Sequence, residues 1–144
     1  MSRSRSFASL ARIHRMTVDE LRRGLVELEA AREGCLATAE TIADEMEAEA
    51  ARLAPHHGAL GDFAPYFASA RGRRQNALRE ADEIAALIAE VRERLSDAFR
   101  RTKTFELLES ERVLAEEHEA KRRDAVALDE AAGIAHHRRS RPGK

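Results

Sequence analysis

Helix-breaking residues cluster at one point in this sequence, and the cluster restricts the fold more than any other feature. Four of them fall within eleven positions: Pro55, Gly58, Gly61 and Pro65. Because proline interrupts a helix and glycine weakens one, the cluster predicts a turn at about 55–62 between two long helices. The predicted order is helix one at about 6–54, the turn, helix two at about 63–135, and a basic tail at 136–144.

Capping signals set the predicted ends of the two helices. Asp62 can cap helix two, and Pro65 falls in its first turn, where the missing backbone donor costs little. Three residues continue the apolar spacing of helix one backwards: Phe7, Ala11 and His14. They favour a start near residue 6, whereas Thr17 with Glu20 forms a rival capping box that would start the helix later.

Apolar residues follow a three-four spacing through both segments. In the first segment the series is Val18, Leu21, Leu25, Leu28, Cys35, Ala39, Ile42, Met46 and Leu53, with Arg32 and Glu49 as its polar interruptions. In the second it is Ala77, Ala81, Ile84, Ile88, Val91, Leu95, Ala98, Thr102 and Phe105. Such heptad spacing is typical of a coiled-coil seam. We therefore predict a long antiparallel two-helix hairpin.

Composition agrees with a thin core. Aromatic residues make up only 4% of the 144 residues and charged residues 35%, which is too little bulk for a thick globular core. Glycine and proline are scarce, as expected of long helices. The predicted fold class is all-α, with a single coiled-coil domain over 1–144.

Charge gives two further indications. The 25 basic and 26 acidic side chains nearly cancel, so net charge gives no reason to expect nucleic acid or a membrane surface as a partner. With a turn centred near residue 59, an acidic run lies opposite a group of arginines, which favours the antiparallel pairing. The acidic residues are Glu40, Asp44, Glu45, Glu47 and Glu49, and the arginines are Arg71, Arg73, Arg74 and Arg79.

The end of helix two is predicted to extend beyond its partner. A first helix that starts near residue 6 ends opposite about residue 112, and roughly twenty residues of helix two remain. Four seam positions there are polar: Glu109, Arg112, Glu116 and Glu119. Leu114 and Leu128 stay as isolated apolar residues. This overhang either enters a groove or ring of a partner protein or is a solvated helix that frays.

Three aromatic residues lie within five positions beside the turn: Phe63, Tyr66 and Phe67. A two-helix tip cannot easily bury all three, and exposed aromatic rings are good anchors for a partner. In the alternative interpretation, the rings fold over the loop and staple it.

The sequence offers no pattern that predicts catalysis, a cofactor or a metal site. The pairs His56-His57 and His136-His137 are adjacent, so neither has the i, i+4 spacing of a helical metal site. Cys35 falls on the seam, where we expect an inert side chain, and a single cysteine forms no internal disulfide, so we expect a reducing cytoplasmic location. No glycine-rich phosphate loop or apolar run of about 20 residues occurs.

The second helix resembles the C-terminal half of the flagellar FliJ family, soluble export components of the flagellar type III secretion apparatus. The resemblance lies in Arg101-Thr102-Lys103 with Glu106, Leu108, Glu109 and Arg112, in Lys121-Arg122-Arg123, and in the run Leu128-Asp129-Glu130-Ala131-Ala132. The first helix also fits, through Arg32-Glu33-Gly34-Cys35. The resemblance covers essentially the whole chain, although the spacing of the aromatic cluster departs from the family pattern.

That resemblance implies a non-enzymatic role as a central stalk. Family members sit in the pore of the hexameric export ATPase, promote its ring and contact the membrane-embedded export gate, and some bind export chaperones. The implied location is cytoplasmic, at the cytoplasmic face of the inner membrane at the flagellar base, with membrane association only through partners. The residues implied for the ring-inserted end are Leu114, Arg122, Arg123, Leu128, Asp129 and Glu130. The aromatic tip would face the export gate.

Two other interpretations start from the same residues. A hairpin that brings its termini together would form a basic collar from Arg3, Arg5, Arg12, Arg15, Arg138, Arg139, Arg141 and Lys144. Such a collar could meet an acidic pore lining or, less simply, the phosphates of nucleic acid. A generic dimerising coiled coil would instead pair two chains through the seams.

Overall fold

A computed structural model describes residues 2–56, 58 and 61–141, and the chain forms two long helices there. Helix α1 spans Ser2–Leu53 and α2 spans Ala64–Ser140, and the described residues contain no strand. Their packing confirms the predicted all-α two-helix hairpin. In the described part of the chain, neither helix contains a stretch long and apolar enough to cross a membrane.

The start of α1 agrees with the earlier of its two predicted starts. The helix begins at Ser2 and runs without interruption through Thr17, so the rival capping box does not start it. At its other end, the backbone N–H of His56 donates to the carbonyl of Leu53 at 2.9 Å, which closes the last turn.

Asp62 does not cap α2, which corrects that prediction. The first backbone bond of the helix runs from the N–H of Phe67 to the carbonyl of Phe63 at 3.1 Å, so Phe63 occupies the capping position. Asp62 lies one residue too early for its carboxylate to reach the first free donors. Pro65 lies in the first turn, as predicted.

The far end of α2 also differs from the prediction. The helix continues to Ser140 rather than to about 135, so most of the predicted basic tail is helical. Its last turn holds His137, Arg138 and Arg139, and cationic side chains there interact favourably with the negative end of the helix dipole. His57 and the last predicted tail residues, 142–144, lie outside the described residues.

The chain divides into two compact units, and the first to describe is Arg15–Phe99. Every apolar seam position predicted within it is buried or half-buried, with Ala39, Ile42 and Ile88 each under 10% exposed. Of its two polar interruptions, Arg32 is exposed and Glu49 is half-buried. The core is therefore a single seam of mainly small and aliphatic side chains between the helices.

Two contacts between the helices show the pairing register in this unit. Arg92 donates to Glu29 at 3.1 Å, and the Cys35 thiol lies 3.7 Å from a carboxylate oxygen of Glu80. Both pairs place the centre of the turn within two residues of position 59, as predicted.

The acidic residues and arginines that were predicted to lie opposite each other come close across the two helices without forming ion pairs among the described residues. Glu45 and Arg73 line one groove between the helices. Among the described residues, however, no ion pair within 4.0 Å joins the acidic run to the opposing arginines. Glu49 instead pairs with Arg52 of its own helix. The seam, rather than a ladder of interhelical ion pairs, therefore holds the register.

The second unit consists of Met1–His14 and Arg100–Lys144. Phe105 of α2 lies between two side chains of α1, with ring centroids 5.1 Å from His14 and 6.5 Å from Phe7. Ala11 is 2% exposed in the same stretch. The aromatic group closes the seam on this side, and beyond it the seam positions of α2 become charged.

Candidate partner-binding surface

The last part of α2 lacks cover from the rest of the described chain. We call residues 113–141 the exposed end. Every residue in it except the half-buried Glu119 is exposed, and each residue from 120 to 141 is exposed without exception. A helix with exposed aliphatic side chains and no neighbour is the surface most available for a partner in this unit.

Ion pairs within α2 replace the seam where the exposed end begins. Arg112 binds Glu109 at 2.7 Å and Glu116 at 2.6 Å, and its side chain is only 20% exposed. Ten residues later, Arg122 binds Glu119 at 2.8 Å. Such pairs three and four residues apart stabilise an isolated helix. These ion pairs stabilise α2 in the part where it no longer packs against α1.

These pairs shift the proton affinities of their members. The hydrogen bond from Arg112 holds the pKa of Glu109 below its ordinary value, and the bond from Arg122 does the same to the pKa of Glu119. The same hydrogen bonds raise the pKa of each arginine. All four side chains are therefore charged near neutral pH.

Leu114 and Leu128, the two predicted apolar anchors, are both exposed and lie on one face. Leu114 is 64% exposed and Leu128 is 71% exposed. Fourteen residues separate them, which places them about 40° apart around an ideal helix. A partner helix or groove can therefore contact both at once.

The charged residues that were grouped with these leucines lie elsewhere on the helix. Arg122 points about 120° away from Leu128, and Asp129 about 100°. Arg123 and Glu130 lie on the far side, and all four side chains are exposed. Arg122 is held by Glu119, and the Nε atom of Arg123 is 4.0 Å from the same carboxylate. The structure does not gather the predicted set into one site.

A second apolar face, rotated away from the seam, was missed in the sequence. We call it the outer face, and its members are Leu107, Leu114, Ala125, Leu128, Ala132 and Ala135. Leu107 is 63% exposed, and the leucines at 107, 114 and 128 repeat at multiples of seven. The repeat of these leucines was present in the sequence, but a heptad count that follows the seam positions does not include them.

Charges are distributed differently on the two sides of the exposed end. The ion-paired residues occupy the side that continues the seam, whereas Glu117, Lys121, Asp124 and Arg139 lie among the outer-face residues. Among the described residues, none of these four has an ion pair or hydrogen bond. The outer face therefore combines exposed aliphatic groups with charges that have no partner within the described chain.

The expected basic collar at the joined termini is wrong for the residues that can be checked. His14 stacks on Phe105, so the start of α1 lies beside that part of α2. Arg138 follows Arg112 by 26 positions, or roughly 40 Å of helix. Arg138 and Arg139 therefore lie far along the exposed end rather than beside Arg12. The side chains of Arg3 and Arg5, and Lys144, lie outside the described part.

The aromatic group at the turn is partly covered. Phe63, Tyr66 and Phe67 are each half-buried, and the rings of Tyr66 and Phe67 meet edge to face with centroids 5.3 Å apart. The rings thus pack on one another as the stapling interpretation expects, yet retain exposed surface. Their role in binding a partner stays a prediction.

Side chains capable of chemistry do not converge in the described residues. Cys35 is half-buried, and desolvation together with the nearby carboxylate of Glu80 raises the pKa of its thiol. A thiol that resists ionisation is a poor nucleophile. Across residues 2–56, 58 and 61–141, no group of three or more His, Cys, Asp or Glu side chains could hold a metal ion.

The arrangement as a whole is suited to binding through a helix surface. The seam of Arg15–Phe99 is occupied within the chain, whereas the exposed end offers its aliphatic side chains to another molecule. No protein-family model, curated protein or solved structure matches this chain.

Proposed function

We propose that this chain is a non-enzymatic stalk component of the bacterial flagellar protein export apparatus. In this role the exposed end inserts in the hexameric export ATPase and promotes its assembly and activity, and the chain links the ATPase to the membrane export gate. Export chaperones are its further partners in this role. The proposed site of action is the cytoplasmic face of the inner membrane at the flagellar base.

The observation that carries this proposal is the continuation of α2 as an unaccompanied helix. A chain that only needed to form a hairpin would gain nothing from exposing Leu114 and Leu128 at 64% and 71%. A ring protein can cover such a helix on several sides, which a flat surface cannot. The resemblance to the FliJ family supplies the identity of the ring, and the exposed end supplies a surface of suitable form.

The alternative of a generic scaffold that dimerises through its seams is less well supported. Ala39, Ala77 and Ala81 are each under 10% exposed because the two seams already pack on one another within one chain. Two chains could pair through the same positions only by opening the hairpin. Binding of a partner to the exposed end does not require the hairpin to open.

Binding to the export ATPase can be tested with two matched single substitutions. Leu128→Ala removes an outer-face side chain, whereas Val126→Ala removes one that is also exposed, at 47%, but points about 160° away. We expect Leu128→Ala to weaken co-purification with the ATPase at least tenfold more than Val126→Ala, the size expected of an anchor residue. Equal weakening by both would count against a defined contact face, and unchanged binding would count against the exposed end as the contact.

A further inference from the structure

The outer face is self-complementary over the last part of α2. Counting outward from Leu128 in both directions, Ala125 corresponds to Ala131, Lys121 to Ala135, and Glu117 to Arg139. Two copies laid antiparallel with their Leu128 side chains in contact would bring these positions together. Ala125 would face an alanine, Ala135 the aliphatic stem of Lys121, and Glu117 the basic Arg139, whereas Asp124, about 40° from Leu128, would face Ala132.

We infer that the exposed ends of two copies pair antiparallel through the outer face, with Leu128 on the two-fold axis and Glu117 of each copy beside Arg139 of the other. This inference does not rest on the proposed function, because it needs no partner other than a second copy. It also differs from dimerisation through the seams, which stay within each hairpin.

Charge selects this arrangement over a parallel one. In a parallel pair, Lys121 would face Lys121 and Arg139 would face Arg139, and like charges opposed on packed helices are destabilising. In the antiparallel pair, Glu117 and Arg139 meet twice by symmetry. Both side chains lack an ion pair among the described residues and are available for it.

The apolar part of the pair is small, which sets its expected strength. Leu128, 71% exposed, would be covered by Leu128 of the second copy. Alanines at 125, 131, 132 and 135 flank the leucine in each chain. The overlap from residue 117 to residue 139 is about 34 Å long. One leucine and several alanines per chain predict a weak dimer with a dissociation constant in the micromolar range or above. Leu114 lies outside the overlap.

The register can be tested by disulfide trapping in the full chain. With Cys35→Ser as background, Lys121→Cys and Ala135→Cys are prepared as separate proteins and oxidised alone and as an equimolar mixture. The antiparallel pair predicts a mixed 121–135 disulfide dimer and little dimer from either protein alone, since like positions are about 21 Å apart along the axis. Dimers from each protein alone, at the yield of the mixture, would overturn the antiparallel register.

The charge pair can be tested by sedimentation equilibrium over a wide concentration range. We expect Arg139→Glu to raise the dimer dissociation constant about fivefold or more, since two symmetric pairs are lost and become repulsive. Adding Glu117→Arg to the same chain should return the dissociation constant to that of the unsubstituted chain. Arg141→Glu makes the same charge change just past the end of α2 at Ser140, outside the overlap of residues 117–139, and should leave the dissociation constant unaltered. A chain that stays monomeric up to near-millimolar concentration, or equal effects of Arg139→Glu and Arg141→Glu, would overturn the proposal.

Discussion

Different forces support the two helical segments of Arg15–Phe99, which we call the paired stretch, and the exposed end of residues 113–141. In the first, heptad-spaced side chains are covered by the opposite helix, as for Ile42 and Ile88. In the second, seam positions are mostly polar and the helix is supported by pairs within itself, such as Arg122 with Glu119. We therefore expect stability to depend on one part of α2 and partner binding on another. Substitutions should therefore separate the two properties.

The largest stability effect is expected in the seam. Ile88→Ala removes a side chain that is 6% exposed, and we expect it to lower the free energy of unfolding by about 1–3 kcal/mol, at the low end for core truncations because the seam is thin. Thermal or denaturant unfolding followed by circular dichroism measures this. Leu87→Ala, next to it but 48% exposed, serves as the control. A loss no larger than that of the control would mean that the seam does not hold the hairpin.

Two helical glycines sharpen the comparison. An added Cβ at Gly34 or Gly133 meets nothing within 4 Å, so alanine fits at both positions. In the paired stretch, Gly34→Ala should raise the free energy of unfolding by about 0.5–1 kcal/mol, since alanine is the better helix former. In the exposed end, Gly133→Ala should increase local helix content and leave the main unfolding transition in place. An equal rise in both would show that the exposed end unfolds together with the seam.

Acid should loosen α2 around the start of the exposed end through the carboxylates of Glu109 and Glu119. The pKa values of Glu109 and Glu119 are lowered from 4.5 in the folded helix, so the unfolded helix binds more protons as the pH falls. Their stabilising contribution is therefore complete above about pH 4.5 and is lost as the pH falls through the lowered values. Carboxyl titrations by nuclear magnetic resonance, with local amide exchange, measure this change.

Arg122→Gln provides the internal control for the acid effect. It removes the hydrogen bond to Glu119 and should return that residue's pKa towards 4.5, while Glu109, held by Arg112, keeps its lowered pKa. If both carboxyl groups changed together, the local ion pairs would not be the cause of the shifts.

The smallest stability effect is expected from the double change Leu128→Ala with Asp129→Ala. Both side chains are exposed and contribute nothing to the seam, so thermal unfolding should be almost unchanged while binding to the export ATPase is weakened. Comparable loss of stability and of binding would contradict the division of roles between the paired stretch and the exposed end.

The sequence predicted the paired stretch well because periodicity and breakers act there together. The cluster from Pro55 to Pro65 predicted the turn, and the three-four spacing predicted which residues are buried, down to the small Ala81 at 1% exposure. Both signals arise from packing that repeats every heptad, so a single chain is enough to read them.

The details that the sequence did not predict depend on local geometry. Asp62 looked like a cap, but the first backbone bond uses the carbonyl of Phe63, and one residue decides which side chain can reach a free donor. The outer face was missed because its leucines, at 107, 114 and 128, lie outside the register that follows the seam. Only the loss of cover beyond Arg112 makes that second face visible.

The most direct measurement of the central claim is ATP hydrolysis and ring formation by the flagellar export ATPase with the full chain and with a chain ending at Arg112. Circular dichroism of the shortened chain first establishes that its hairpin still unfolds as one cooperative transition. We predict that the full chain stimulates hydrolysis at equal stoichiometry and that the shortened chain does not. Full stimulation by the shortened chain would contradict the assignment of binding to the exposed end, and no stimulation by either would contradict the stalk function itself.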